Sequence, residues 1–244
     1  MSASFDPGQS GNRQALGFED SLSQAAVSTA LASVFRGRFC DAILPNRRVV
    51  AFRKEQVIYD VGDTARTFFF LQGGLVKIGT ITSDGHELIY DVRKTGDVVG
   101  ELCASELPRL DRAVALEPAE AIPVPFEDVM EAVRKQPDLL ARLVDVFCSA
   151  LSEAYAQVGT LAVDDTAHRL AKVLLKLAAK IGQHSESEVE LPTYLTQEEI
   201  AQMVAVRRER ISTALNSFRR KRLIHYTNRG HLVLNVSALE TYAR

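Results

Sequence analysis

The sequence predicts an α+β chain in three parts: an N-terminal β-barrel or roll of short strands, one long helix, and a C-terminal winged helix-turn-helix. Three observations predict it. Short apolar segments recur every 8 to 12 residues after Arg47 with glycines between them, a 27-residue stretch from Pro137 keeps apolar residues at helical spacing, and Thr196 to Ile224 read as two short helices, the second rich in arginine. A chain of 244 residues has room for two domains of ordinary size, each able to bury a core.

Residues 1–25, MSASFDPGQSGNRQALGFEDSLSQA, are small and polar with few apolar anchors and are expected to be a flexible segment. The roll is expected over 26–136. Its strands are RVVAF, QVIY, TFFFL, LVKIGTI, ELIYDV, RAVAL and AIPVP, separated by Gly62, Gly73, Gly74, Gly85, Gly96 and Gly100. Short strands at even spacing with glycine turns close into a barrel or roll. Helical spacing resumes at FEDVMEAVRKQ, and Pro137 opens the next helix where a missing N–H does no harm.

That next helix, 137–163, carries Leu140, Val144, Phe147, Leu151, Ala154, Val158 and Leu161 at alternating steps of four and three. The steps make a heptad seam. Three heptads are about 30 Å of helix, enough for a two-stranded coiled coil. The stripe could instead pack on the chain's own roll; a parallel homodimer is the expectation.

The last part spans 164–244. Thr196 with Glu199 three residues on forms a capping box, which starts the first short helix. Ile200, Met203 and Val204 give that helix one apolar face, and Ile211, Ala214, Leu215 and Phe218 do the same for the second. On the opposite face of the second helix, which starts near Arg207, stand Arg208, Glu209, Ser212, Thr213 and Asn216, with Arg219, Arg220, Lys221 and Arg222 at its end. An arginine fork matches the O6 and N7 of guanine, a carboxylate accepts from the cytosine amino group, and flanking cations meet phosphates. Arg208, Glu209, Ser212 and Thr213 are therefore the candidate base readers. Thr196, Arg207, Arg210, Arg219, Arg220 and Arg222 are the candidate backbone contacts. A solvated charged face is the plain alternative. The capped helix just upstream and HLVLNV (His231 to Val236), which follows a turn signal at Asn228 to Gly230 and reads as a hairpin wing, favour DNA.

Charge follows the same division. From Asp165 onward there are 13 basic and 8 acidic residues, and the remainder holds 16 against 23. A basic module on an acidic body suits double-stranded DNA better than a membrane. No run of about 18 apolar residues and no cleavable leader pattern is present, so a soluble, cytoplasmic protein is expected. Cys40, Cys103 and Cys148 stand apart and are expected to be small buried apolar residues rather than disulfide or metal partners. No phosphate loop, HExxH pair or local nucleophile signature occurs, so no enzyme and no resident metal are expected.

The order of parts resembles that of the cyclic-AMP receptor protein/Fnr (Crp-Fnr) superfamily of bacterial transcription regulators, from about Asn46 to the end. In the roll the resemblance rests on DVGDTARTFFFLQGGLVKI, with Gly62, Asp63, Ala65, Phe69, Leu71, Gly74 and Val76 at the family's positions, and on GHELI and TGDVVGE. At the other end it rests on LTQEEIAQMVAVRRERISTALNSFRRKRLI. It implies that the roll is an N-terminal double-stranded β-roll of the jelly-roll type, a cyclic-nucleotide-binding-like sensor domain, and it implies a dimer, DNA binding and contact with RNA polymerase. It also implies that Arg208 and Glu209 are the base-reading pair, that Thr213 replaces a second reading arginine, and that Asp164 and Asp165 form the interdomain hinge. A half-site related to, but different from, TGTGA follows.

For an effector, the resemblance implies a pocket at Gly100 and Glu101, with the cyclic-phosphate arginine at Arg109 or Arg112. On the long helix, Ala154 and Tyr155 stand where the cyclic-AMP receptor has its adenine-binding threonine–serine pair, and an alanine cannot make that hydrogen bond. Cyclic AMP is disfavoured on that ground. Cyclic di-GMP, another small molecule, or effector-independent DNA binding remain as readings. Iron–sulfur sensing is disfavoured by the missing N-terminal cysteine cluster, and haem sensing lacks an evident ligand pair beyond Cys103 and His86.

Overall fold

The computed structural model of the chain describes residues 43–104, 107–185, 188–191 and 195–244. The expectations for residues 1–25 and for Cys40 fall outside the described residues. Among the described residues eight strands make the roll: β1 (Val50–Phe52), β2 (Val57–Tyr59), β3 (Thr67–Gly73), β4 (Leu75–Ile81), β5 (Glu87–Lys94), β6 (Val98–Val99), β7 (Arg112–Ala115) and β8 (Ala119–Pro125), with a 3-10 turn at Glu101–Ala104. They pair antiparallel in two sheets, β1-β8-β3-β6 and β2-β7-β4-β5. Period-two alternation explains the pairing: Leu71, Val76, Ile78, Val99, Ala113, Ala115 and Ala121 meet between the sheets as one apolar layer. Gly74 makes the β3–β4 corner possible, since at φ 84 an added Cβ would lie 2.4 Å from the Pro118 carbonyl. The short β6 was not legible as a strand; only Val98 and Val99 pair with β3.

Behind the β1-β8-β3-β6 sheet, α1 (Phe126–Arg134) inserts Val129 and Val133 against Phe68, Phe70, Ile122 and Val124. The long helix α2 (Pro137–Val163) touches this layer through Leu139, which is buried, and Leu143. Its seam residues do not follow. Leu140, Val144, Phe147, Leu151, Val158 and Leu161 are 37–64% exposed, and Ala154 is exposed beside them, so the roll leaves the stripe uncovered.

The C-terminal unit contains α3 (Thr166–Ile181), β9 (Gln183–His184), β10 (Val189–Glu190), α4 (Gln197–Val204), α5 (Arg208–Arg220), β11 (Ile224–Tyr226), β12 (Leu232–Leu234) and α6 (Val236–Ala243). Its core joins Leu170, Leu174 and Leu177 of α3 to Ile200, Ile211, Leu215, Phe218, Leu234 and Leu239. Three roll residues, Leu75, Val92 and Leu116, belong to the same buried cluster. The wing differs from expectation at both ends. HLVLNV is a strand only over Leu232–Leu234, because the Asn235 side chain accepts from the Ala238 N–H and starts α6. The wing sheet also has four strands, in the order β11-β12-β10-β9, where a hairpin alone was expected. Tyr242 of α6 stacks on His168 of α3 at 5.1 Å and meets the Phe218 edge at 5.2 Å, tying the first helix of the unit to α5.

Candidate nucleic-acid interface and roll interior

The helix-turn-helix is built from its cap outward. The Thr196 hydroxyl accepts from the Glu199 N–H at 3.2 Å, and the Glu199 carboxylate accepts from the Thr196 N–H at 2.7 Å. Ala205, Val206 and Arg207 make the turn, with Ala205 left-handed at φ 58, and the Val206 N–H donates to the Ala201 carbonyl at 3.1 Å. Buried Ile200, Ala201 and Val204 face buried Ile211, Ala214, Leu215 and Phe218, which fixes the outward direction of α5. Arg208, Glu209 and Thr213 then stand exposed on it, with Ser212 half-buried beside them. The Thr213 hydroxyl donates back to the Glu209 carbonyl at 3.0 Å, which sets its rotamer along the helix. Arg207 caps α5 without a side-chain hydrogen bond of its own, and Arg207, Arg210, Arg219, Arg220 and Arg222 are all exposed. The predicted readers and backbone contacts therefore share the solvent side of one helix pair, and the Thr196 cap is exposed at its start.

The roll interior is furnished with charge. Gly100 sits at φ 89, and an added Cβ there would lie 2.7 Å from the Thr67 carbonyl and 3.2 Å from the Arg109 guanidinium. Arg109 is 3% exposed. It donates to the carbonyls of Thr67 at 2.6 Å, Gly100 at 3.2 Å and Ala65 at 3.3 Å, and its guanidinium lies 4.0 Å from the centre of the Tyr59 ring. The Tyr59 hydroxyl donates to Asp111 at 2.8 Å, and the other Asp111 oxygen is buried without a hydrogen-bond partner. Burial raises the Asp111 carboxyl above the usual carboxylate range, the Tyr59 hydrogen bond pulling the other way. Burial likewise lifts Tyr59 well above the ordinary phenol value, with Glu101 and Asp111 adding to it.

The structure separates the two arginine alternatives. Arg109 lies inside beside Gly100, whereas Arg112, on β7, is turned to Asp60, 3.4 Å away. Glu101 faces Arg93 at 3.0 Å. Tyr155 is 68% exposed on α2, next to the seam. Cys103 is buried as expected, but Cys148 is exposed: it follows Phe147 on a helix face that the described roll residues leave open. Among the described residues no cluster of His, Cys, Asp and Glu could hold a metal ion, and no helix is long and apolar enough to cross a membrane. A cleft of about 140 Å³ lies outside the roll, where Tyr90 of β5, Leu161 of α2, Arg169 and Lys172 of α3 and Met203 of α4 converge.

Sequence reading missed Tyr59 and Asp111 inside the roll and Asp91 and Arg93 on β5. No local signal marked the β5 pair, since charges at i and i+2 on either side of Val92 keep the alternation of a strand with one solvated face.

Two family models match the chain, the cyclic nucleotide-binding domain over residues 49–136 and the Crp-like helix-turn-helix domain over residues 168–242. Among curated proteins it is similar to the global nitrogen regulator of Synechocystis, 29% identical over 212 residues, covering 86% of this chain and 93% of that one. It is also similar to the CRP-like cAMP-activated global transcriptional regulator of Mycobacterium tuberculosis, 26% identical over 219 residues, covering 88% of this chain and 98% of the relative. Among solved structures, a CooA mutant from Carboxydothermus hydrogenoformans shares the fold with a TM-score of 0.70 at 19% identity, covering 88% of this chain and 95% of that one.

Proposed function

The chain belongs to the Crp-Fnr superfamily of transcription regulators, DNA-binding proteins that are not enzymes, and on that premise we propose a homodimer that reads a two-fold-symmetric DNA site through α5. The observation that carries this reading is the exposed face of Arg208, Glu209 and Thr213 on the second helix of a capped helix-turn-helix. The uncovered stripe of α2 supplies the seam. A two-fold axis along that seam presents two copies of α5 to half-sites about one helical turn apart, the geometry of helix-turn-helix dimers. Arg208 and Glu209 read bases, while Arg219, Arg220 and Arg222 hold phosphates. The regulator acts in the cytoplasm and works through RNA polymerase.

The roll is an altered effector pocket. The two terminal nitrogens of Arg109 already donate to three backbone carbonyls, leaving only the buried Nε without a partner, and an acid, Asp111, stands buried beside it, which disfavours a cyclic phosphate. Binding without an effector is the reading this favours. The relation to a cAMP-activated regulator supports a second, in which DNA binding requires cyclic AMP, cyclic di-GMP or another small ligand.

Selection of bound duplexes from a random library, with ligand-free protein at fixed salt, tests both. A two-fold-symmetric site enriched without ligand supports the first reading. Enrichment only on adding a cyclic nucleotide or dinucleotide supports the second. Glu209→Ala should erase the sequence preference and leave weak, salt-sensitive binding; an unchanged selected site would remove Glu209 from the reading pair.

A further inference from the structure

Strand β5 sends two charges into the joint where the roll meets the C-terminal unit. Asp91 and Arg93 project from the same face because they are two residues apart on one strand, just past an irregularity in which Ile78 pairs with Asp91 and Gly79 with Ile89. The Lys180 ammonium, 4% exposed at the end of α3, donates to both oxygens of Asp91 at 2.7 and 2.6 Å. Arg93 Nε lies 3.0 Å from the same carboxylate, and Lys176 lies 3.5 Å from it. The other end of the Arg93 guanidinium reaches the Glu101 carboxylate at 3.0 Å. Lys94 completes the grip by donating to the Lys180 carbonyl at 2.6 Å, in the last turn of α3. The long helix takes part as well. Glu153 of α2 faces the cluster; burial raises its carboxyl, Lys176 opposes that, and one of its oxygens is buried without a hydrogen-bond partner.

A continuous line of charge therefore runs from Glu101, in the 3-10 turn after β6, through Arg93 and Asp91 to α3. Helix α3 in turn forms the core on which α4 and α5 rest. The three surrounding cations hold Asp91 ionised against its burial, and burial brings Lys180 down to about 8 against the pull of Asp91. In such a set, removing one partner strands the rest in a dry site, so its effect reaches both sides of the joint.

We propose that Asp91 and Lys180 are positioning residues for DNA reading: their buried pair, shared through Arg93 with Glu101, fixes α3 on the roll and so sets the attitude of α5. The proposal rests on the DNA-reading assignment above. Any change at Glu101 that draws Arg93 away would leave Asp91 to the two lysines, which gives the roll a physical means of addressing the reading helix.

Asp91→Asn, Lys180→Met and Lys180→Arg test it in the full chain, with circular dichroism as the folding control. Hydrogen exchange is read in β5 and the last turn of α3. Affinity is read for the selected duplex and for a random duplex of equal length across a salt series. Asp91→Asn and Lys180→Met should speed exchange on both sides of the joint and change affinity for the selected duplex by about tenfold or more, with the random duplex and the salt slope unaltered. Lys180→Arg, which keeps the charge, should return discrimination toward wild type. If Asp91→Asn does not fold, the two Lys180 variants carry the test, because Asp91 then retains Arg93 and Lys176. Faster exchange with unchanged discrimination would make the cluster structural only and overturn the proposal, as would unchanged exchange in a folded variant. Failure of the wild type itself to discriminate duplexes would instead refute the DNA reading, and the positioning role with it.

Discussion

Leu151 lies mid-seam on α2 and is 53% exposed in the protomer. Burying a leucine side chain completely contributes about 1.5–3 kcal/mol, so covering the half still open is worth about 1–1.5 kcal/mol per protomer and about 2–3 kcal/mol for the two copies that face each other across a two-fold axis. Leu151→Glu forfeits this and sets two carboxylates against one another in an apolar seam. The apolar loss alone should raise the dimer Kd by about 30- to 150-fold, since each 1.4 kcal/mol is tenfold, and the repulsion adds to it at low salt. Sedimentation equilibrium over a wide concentration range measures the Kd directly, with circular dichroism to show that the helix survives. The variant should also bind single half-sites about as well as full sites. An unchanged Kd in a folded protein would mean that the dimer does not form along this stripe, and the half-site geometry argued from it would fall too.

Arg219→Ala and Arg220→Ala should weaken binding to every duplex alike, each lowering the salt slope by about 1; altered sequence preference on selection would show that they read bases. Asp111 has a folded pKa raised by burial, so its favourable contribution to stability is present below the unfolded value and is lost as pH rises through the folded one. Asp111→Asn, which can still accept from Tyr59, should therefore raise Tm at pH 7 and bring little gain near pH 3; thermal melts at both pH values decide, and a larger gain in acid would contradict the burial argument. Ala205 holds φ 58 in the turn between α4 and α5. Ala205→Gly removes a crowded Cβ and should stabilise by up to about 1 kcal/mol, a rise of about 2–4 °C in Tm, read by calorimetry.

What was legible in the sequence was what repeats or caps. Period-two runs between glycines gave the roll strands, the four-three steps gave α2, and Thr196 with Glu199 gave the start of α4. What was not legible depends on partners distant in sequence. β9 and β10 are two residues each and exist because β12 pairs with β10. α6 is only eight residues long and is held by Tyr242 against His168 and Phe218. Spacing left Arg109 and Arg112 equivalent, and only the closure of the roll sends one inward to Gly100 and the other out to Asp60. Asp91 and Lys180 are 89 residues apart, so no local pattern announces their pair.

Leu75, Val92 and Leu116 are roll residues by chain order, yet they lie within the core of the C-terminal unit. The border between the roll and the C-terminal unit therefore does not run where the backbone passes from α2 to α3. A graft that joined this roll to a foreign reading head at Asp165 would bring together two surfaces shaped for other partners. To carry its fit along, the head must travel with the β4–β5 ribbon against which it is packed. Exchange of C-terminal units between relatives of this architecture is then constrained less by the exposed face of α5 than by this strip of roll packed into the core of the unit.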